Sequence, residues 1–314
     1  MKLSKEVINK MNTEKGDEKF PEDLRLEGIS MRHIFQSQRL LVSMRIIGNG
    51  KIEDLETQKK GIDFIRRDNG RCVNVDAKLI CGPLETFGME LQATEKKDGT
   101  MRQNGWLCND ELKTEEYLFL THYIKNGTGK YWFDKKMLND PDDIQGTYAL
   151  LVEKKALKKF IEEHLPTGMT LEDARDYVRK CGQAVEQKRK SAQKKTINFI
   201  IKDNKIVCLS QTELAELKKA WRASEVADDW FKQYEEWPDV MLSYNLGCKE
   251  RSISARVSQK ALRSIAKMEF RPEDIEGTIV NSVEVSAETA ANISKIIGDD
   301  SLIKNGSINI TVSE

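Results

Sequence analysis

Asn69-Gly70 stands between two runs of strand-forming residues, Gly61–Arg67 (GIDFIRR) and Arg71–Ile80 (RCVNVDAKLI). Asn-Gly is the dipeptide that a two-residue type I′ turn prefers, because both central residues need positive φ. With Asn69 and Gly70 as the whole loop, Asp68 pairs with Arg71 and Asp63 falls opposite Asp76. Side chains alternate along a strand, so Asp63, Asp76 and Lys78 then share one face. Two directly opposed carboxylates destabilise a sheet unless something neutralises them. A divalent cation does so, and all-oxygen ligands suit Mg²⁺ or Mn²⁺. A three-residue loop, Asp68-Asn69-Gly70, would instead set Asp63 against Val75, so the pairing of the acids rests on the turn type.

Around this hairpin the pattern changes period several times. Residues 21–60 read as helical, with Met31, Ile34, Phe35, Leu40, Leu41, Met44 and Ile47 near helical spacing. Phe87–Ala93, Glu115–Ile124 and Thr147–Val152 read as further strands, the last running into an amphipathic helix over Lys154–His164. Leu171–Lys190 is helical. Ile197–Leu209 reads as a second hairpin around Asp203-Asn204, and a helix follows from Thr212 to about Trp221. This order predicts an α/β (α+β) fold, a central mixed sheet flanked by helices. A soft boundary near residue 220 divides a domain over 1–220 from a smaller C-terminal region, 221–314, that ends in a strand over Ile308–Val312.

Phe87–Ala93 extends the acidic cluster. Glu90 and Gln92 share a face there, and they lie beside Asp76 if this strand pairs with its neighbour. Two or three carboxylates with one lysine make a hydrolytic site. The carboxylates hold the metal, and the lysine orients a nucleophilic water or stabilises the transition state.

Gly61-Ile62-Asp63, twelve intervening residues, and Asp76-Ala77-Lys78 resemble the signature of the PD-(D/E)XK nuclease superfamily. That superfamily carries its first Asp at the end of one strand and the (D/E)xK on the next. Met89-Glu90-Leu91-Gln92, the Gly105-Trp106 step, and Lys113–Tyr117 entering an apolar strand agree with phage, prophage or restriction-type members. The resemblance covers roughly residues 30–165. Ile62 replaces the nominal proline, and Asp76 stands where Glu is also common. The resemblance implies a restriction-endonuclease-like fold and a Mg²⁺-dependent deoxyribonuclease. Asp63, Asp76 and Lys78 would be catalytic, Asp63, Asp76 and Glu90 would be metal ligands, and Gln92 would assist. The tripeptide alone is cheap, since Glu95-Lys97, Glu111-Lys113, Glu153-Lys155 and Glu216-Lys218 match it too. Its place in an apolar strand opposite a second Asp sets Asp76-Ala77-Lys78 apart.

The charge balance gives no prior for a nucleic-acid partner, with 51 Lys+Arg against 51 Asp+Glu. Its distribution is more informative. Lys188, Arg189, Lys190, Lys194 and Lys195 form a basic run, while Arg256, Lys260, Arg263 and Lys267 recur on one face of a helix and could track a phosphate backbone. Lys59, Lys60, Arg66 and Arg67 could reach phosphates, and Gln58 could help position substrate. Trp106, Tyr117 and Phe119 could stack on bases, although such residues are more often core. An acidic tail beyond Pro272 offsets the basic stretches.

Six dispersed cysteines without metal spacing read as reduced thiols of a cytoplasmic protein. Three separate histidines offer no zinc motif and no Ser/His/Asp arrangement. No apolar run spans a membrane, no secretory signal opens the chain, and no P-loop is present. The expected function is metal-dependent hydrolysis of DNA, with a homo-oligomer compatible with cutting both strands. The alternative is a non-catalytic nucleic-acid-binding or assembly protein on the same fold.

Overall fold

The computed structural model describes residues 20–36, 44–47, 57, 60–80, 86–96, 104–125, 131–132, 139–144, 146–188, 196–223, 237–246, 250–271, 280–284, 303–304 and 307–311. Among the described residues the α-helices are α1 (Phe20–Gln36), α2 (Lys154–Glu163), α3 (Leu171–Lys188), α4 (Gln211–Ala223) and the single turn and a half of α5 (Gln259–Ser264). The fold is α+β.

The first sheet is mixed. Its strands β1 (Phe64–Asp68), β2 (Arg71–Ile80), β4 (Glu116–Lys125), β6 (Gly146–Glu153) and β11 (Met268–Phe270) lie in that order, and β5 (Tyr131–Trp132) pairs with β4. Only β2 and β4 run parallel. The second sheet is antiparallel, in the order β3 (Thr86–Lys96), β10 (Glu250–Ser258), β9 (Val240–Leu246), β7 (Ile197–Lys202) and β8 (Lys205–Cys208). A third, β12 (Val280–Glu284), β14 (Ser307–Thr311) and β13 (Ile303–Lys304), pairs within itself.

The hairpin turn has the two-residue form. Asn69 and Gly70 have φ of 47° and 84°, Asp68 pairs with Arg71, and Phe64 pairs with Val75. Asp203 and Asn204 turn the β7–β8 hairpin in the same way, with φ of 49° and 58°.

The first sheet is buried on both faces, which is why β4 and β6 read as continuous apolar runs. On one face Phe64, Val75, Leu118, Leu120, Ala149 and Leu151 meet Met31 and Ile34 of α1. On the other, Tyr117, Phe119, Leu150 and Val152 share a core with Phe87, Met89 and Leu91 of β3, Ala255 and Val257 of β10, and α2 and α3. Among the described residues no helix is long and apolar enough to cross a membrane.

Four expectations change. The helix read over 21–60 ends at Gln36 where the chain is described, and Leu40 and Leu41 lie outside the described residues. Arg45 turns with a φ of 54°, and Ile46 bridges Arg66, so this stretch pairs with the open edge of β1. The β3 strand does not pair with β2. A parallel β2–β4 pair needs a long crossover, and β3 lies in that crossover and joins the second sheet instead. A boundary near residue 220 would cut the second sheet, because β9 and β10 sit between β3 and β7. The basic helix expected over 256–267 is instead the end of β10, the short α5 and the approach to β11.

A buried ionic cluster fixes the end of the first sheet. Arg66 (3% exposed) donates two hydrogen bonds to Glu116 (1% exposed), at 2.5 and 2.8 Å. Lys267 reaches Asp68 at 2.7 Å, Glu116 at 3.0 Å and Glu153 at 3.1 Å. Burial pushes the Glu116 carboxyl up, but Arg66 and Lys267 together hold it below its ordinary value. Removing one member strands the other's charge. Glu116→Ala should therefore destabilise the chain by about 3 kcal/mol, and the double replacement Arg66→Met with Glu116→Leu by clearly less, as read by urea unfolding.

Candidate metal and phosphodiester site

A cleft of about 480 Å³ opens where β1 begins and β2 runs toward its end. Its walls include Glu27 and Ser30 of α1, Gly61, Asp63, Asp76, Lys78, Trp106 and Leu112. Three of the residues expected to be catalytic, Asp63, Asp76 and Lys78, therefore share it.

Local backbone chemistry sets Asp63 in place. Gly61 has a φ of +73°, and a Cβ there would lie 2.5 Å from Thr114 Oγ1. Thr114 Oγ1 donates to the Gly61 carbonyl at 2.7 Å, and the Lys113 amide donates to the Lys60 carbonyl at 2.8 Å. The Asp63 amide then donates to the Val75 carbonyl at 2.9 Å, one residue out of the register in which Phe64 pairs with Val75. Asp63 Oδ2 accepts the Ala77 amide at 2.7 Å.

Asp76 is buried, at 5% exposure. Its Oδ2 lies 2.8 Å from Lys78 Nζ. Burial, and after it the charge of Asp76, push the Asp63 carboxyl up from 3.8 to about 7, against the Ala77 amide and Lys78, which lower it. Glu27 adds to the rise from across the cleft. The raised value expresses first the burial of a carboxylate and then the charge of Asp76 beside it.

The far wall is a strap, residues 104–116, that returns from the second sheet to β4. The Gly105 amide donates to the Leu91 carbonyl at 3.1 Å and the Leu107 amide to the Glu90 carbonyl at 3.2 Å. A Cβ at Gly105 would strike the Glu90 backbone. Lys154 Nζ donates to the Asn109 carbonyl at 3.0 Å, and burial holds that ammonium below its ordinary value. The strap places the Trp106 ring with its centroid 5.0 Å from Lys78 Nζ.

The other expected residues lie elsewhere. Glu90 is on β3 in the second sheet and does not line the cleft. Gln92 is buried and accepts hydrogen bonds from Arg179 of α3. Among the described residues no group of three or more His, Cys, Asp or Glu side chains is close enough to hold a metal ion. Tyr117 and Phe119 are core, so of the three candidate stacking rings Trp106 alone faces the cleft.

Arg256 donates to Thr86 Oγ1 at 3.0 Å, Arg263 to Glu269 at 2.9 Å, and Lys267 to its three carboxylates. Lys260 is exposed on α5. These four do not share a helix face. Arg66 is spent on Glu116, Lys60 and Arg67 are exposed, and Gln58, Lys59 and 189–195 lie outside the described residues.

Two features escaped the sequence. Glu27 reaches the cleft from a helix whose apolar spacing marks only its buried face. Its one advance signal is its place three residues before Ser30, a single α-helical turn. Ser30 Oγ, in turn, lies 2.5 Å from His122 Nε2, and His122 Nδ1 lies 2.8 Å from Thr147 Oγ1. Burial holds the His122 imidazole well below its ordinary value, hence neutral, and a threonine in third place offers no charge to stabilise an imidazolium. The chain of three is a buried tether from α1 to the sheet, joining residues 92 and 25 positions apart.

The donors fit a hard divalent cation. Mg²⁺ is commonly held by one or two carboxylates, with waters and substrate phosphate completing its shell. Asp63 and Asp76 supply such a pair, and their mutual repulsion is what a cation would relieve. No protein-family model matches this chain, and comparison with curated proteins and with solved structures finds no match.

Asp63 keeps its proton to about pH 7 when folded but loses it near 3.8 when unfolded. The stability from that proton is full below the unfolded value and is lost as pH rises through about 7. Asp63→Asn stays neutral throughout. In metal-free buffer its melting temperature should therefore gain on wild type between about pH 5 and about pH 8. A difference that stays flat across that range would mean Asp63 is not held as described.

Proposed function

We propose that this chain is a divalent-metal-dependent nuclease that hydrolyses DNA phosphodiesters at the Asp63–Asp76 cleft, on a restriction-endonuclease-like core. The observation that carries this reading is the convergence of Asp63, Asp76 and Lys78 on one cleft, with Lys78 Nζ 2.8 Å from Asp76. The placement of Asp76-Ala77-Lys78 within β2, the strand next to β1, supports the PD-(D/E)XK resemblance, although Asp63 precedes its strand rather than ending it.

Asp63 and Asp76 would hold Mg²⁺ or Mn²⁺ through their carboxylates, and Glu27 faces them from α1. The cation, when bound, supplies Lewis acidity that offsets charge on a phosphoryl oxygen and acidifies water. Lys78 donates hydrogen bonds to the attacking water or to the phosphoryl oxygen as charge develops there. The Ala77 amide fixes one Asp63 oxygen and leaves the other for the cation. Leu112 and the Trp106 indole add apolar surface to the cleft wall, and a less polar surrounding strengthens each of these interactions. Of the four basic residues read as DNA contacts, Lys260 is the one we retain, since the other three are engaged with neighbouring side chains.

One observation favours the non-catalytic alternative: Lys78 already neutralises Asp76, as it would in a purely structural acidic cluster. The two readings part in one assay on linear, circular and single-stranded DNA with Mg²⁺. Wild type should cleave, and Asp76→Ala and Lys78→Ala should each lose roughly 10²-fold or more in rate. Cleavage that survives both substitutions would remove the site assignment, and wild-type binding without cleavage would favour the scaffold. Cation binding must also displace the Asp63 proton. Mg²⁺ affinity by calorimetry should therefore rise with pH up to about 7 in wild type and lose that dependence in Asp63→Asn.

A further inference from the structure

Among the described residues Lys78 has two direct contacts in the cleft, beside the longer-range charge of Asp63. Asp76 holds its ammonium from one side at 2.8 Å, and the Trp106 ring lies beneath it with its centroid 5.0 Å away. The first partner is conditional. A carboxylate that turns to a divalent cation gives up much of its hold on a neighbouring ammonium, and a lysine's four-carbon stem then lets the head swing to solvent. The second partner is not conditional, because an indole face attracts a cation through its quadrupole and binds no metal.

The ring is also unusually well fixed for a loop residue. Its edge packs on Tyr117 at 4.7 Å and 64°, and Tyr117 Oη donates to the Trp106 carbonyl at 3.2 Å. Tyr117 is itself fully buried in the core. On either side, the Gly105 and Leu107 amides bind β3, and Lys154 holds the carbonyl of Asn109. A purely structural tryptophan would need none of its face turned to the cleft, yet Trp106 lines it.

We propose that Trp106 is the positioning residue of Lys78: its indole face keeps the ammonium in the cleft when Asp76 engages another cation. The role in hydrolysis rests on the nuclease reading, whereas the hold on Lys78 stands on the geometry alone. Trp106 touches no reacting atom and acts through the lysine.

The test uses the full chain with Trp106→Phe, Trp106→Leu, Lys78→Met and the double variant Trp106→Leu with Lys78→Met. Proton shifts of the Lys78 ε-methylene are read in ¹³C-lysine-labelled protein, with and without Ca²⁺, and assigned by their loss in Lys78→Met. In wild type the resonance should lie upfield of the exposed lysines and stay there when Ca²⁺ is added. Trp106→Leu should move it to the exposed position, and Trp106→Phe should keep part of the shift.

With Mg²⁺ and linear DNA, Trp106→Leu should lower kcat by roughly tenfold with little change in KM. Trp106→Phe should recover most of that loss, and Trp106→Leu should cost nothing further in the Lys78→Met background. A Lys78 resonance unmoved in Trp106→Leu overturns the proposal. So does a loss in Trp106→Leu that is as large without Lys78 as with it, because that is the behaviour of a structural residue. A wild-type protein that cuts no DNA ends the nuclease reading, and the lysine resonance still decides whether the indole holds the ammonium.

Discussion

A parallel pair of strands cannot be closed by a tight turn, and much of this architecture follows from β2 lying parallel to β4. The chain leaving Ile80 must travel back along the sheet before it can enter β4 at Glu116. It uses the journey to build β3, which becomes an edge of the second sheet, and then the strap that carries Trp106. The parallel pairing thus separates Glu90 from Asp76 and closes the cleft over Lys78. Had β3 followed β2 by a simple hairpin, the acids would have formed one ladder and the strap would have had no reason to exist.

The two ends of the hairpin handle charge in opposite ways. Near the turn, Arg66 and Lys267 face Asp68, Glu116 and Glu153, and each buried group finds a counter-charge or a hydrogen bond. Near the cleft, two carboxylates meet with one ammonium and one amide between them, and Asp63 takes up the imbalance by holding its proton. The first arrangement is self-sufficient and stabilises the sheet's end. The second is left short of positive charge.

Local signals carried both hairpins, β4, β6, α2, α3 and α4, but not how the strands pair across the sheets. Asn69-Gly70 specified its turn, and the turn specified the register from Asp68–Arg71 to Phe64–Val75, which brings Asp63 and Asp76 to one cleft, because a positive-φ pair is a property of two residues. Strand membership of β3 was equally legible, but its partner was not, since which strand lies alongside is decided by the crossover and by β10, more than 150 residues later. The basic spacing of Arg256, Lys260, Arg263 and Lys267 fitted a helix on paper. Ile253, Ala255 and Val257 alternate just as well for a strand, and burial between β3 and β9 favoured that period. Glu27, Ser30 and His122 meet only through tertiary packing, so no window of sequence contains them together.

The insertion of β10 between β3 and β9 has a consequence for how the chain reaches this state. Phe87, Met89 and Leu91 emerge early in synthesis, yet the strand that covers their edge is among the last parts of the described core to be made. Until then the edge of β3 that β10 will cover is open, a template for pairing with another chain. Pairings so distant in sequence also form slowly, because the loop between them must close first. A nascent chain with β1, β2, β4 and β6 hydrogen-bonded would still lack the β10 partner of β3, the strand on which the strap is anchored. The cleft then matures after the β1–β2 hairpin that carries its acids, once β10 has settled β3 beneath the strap.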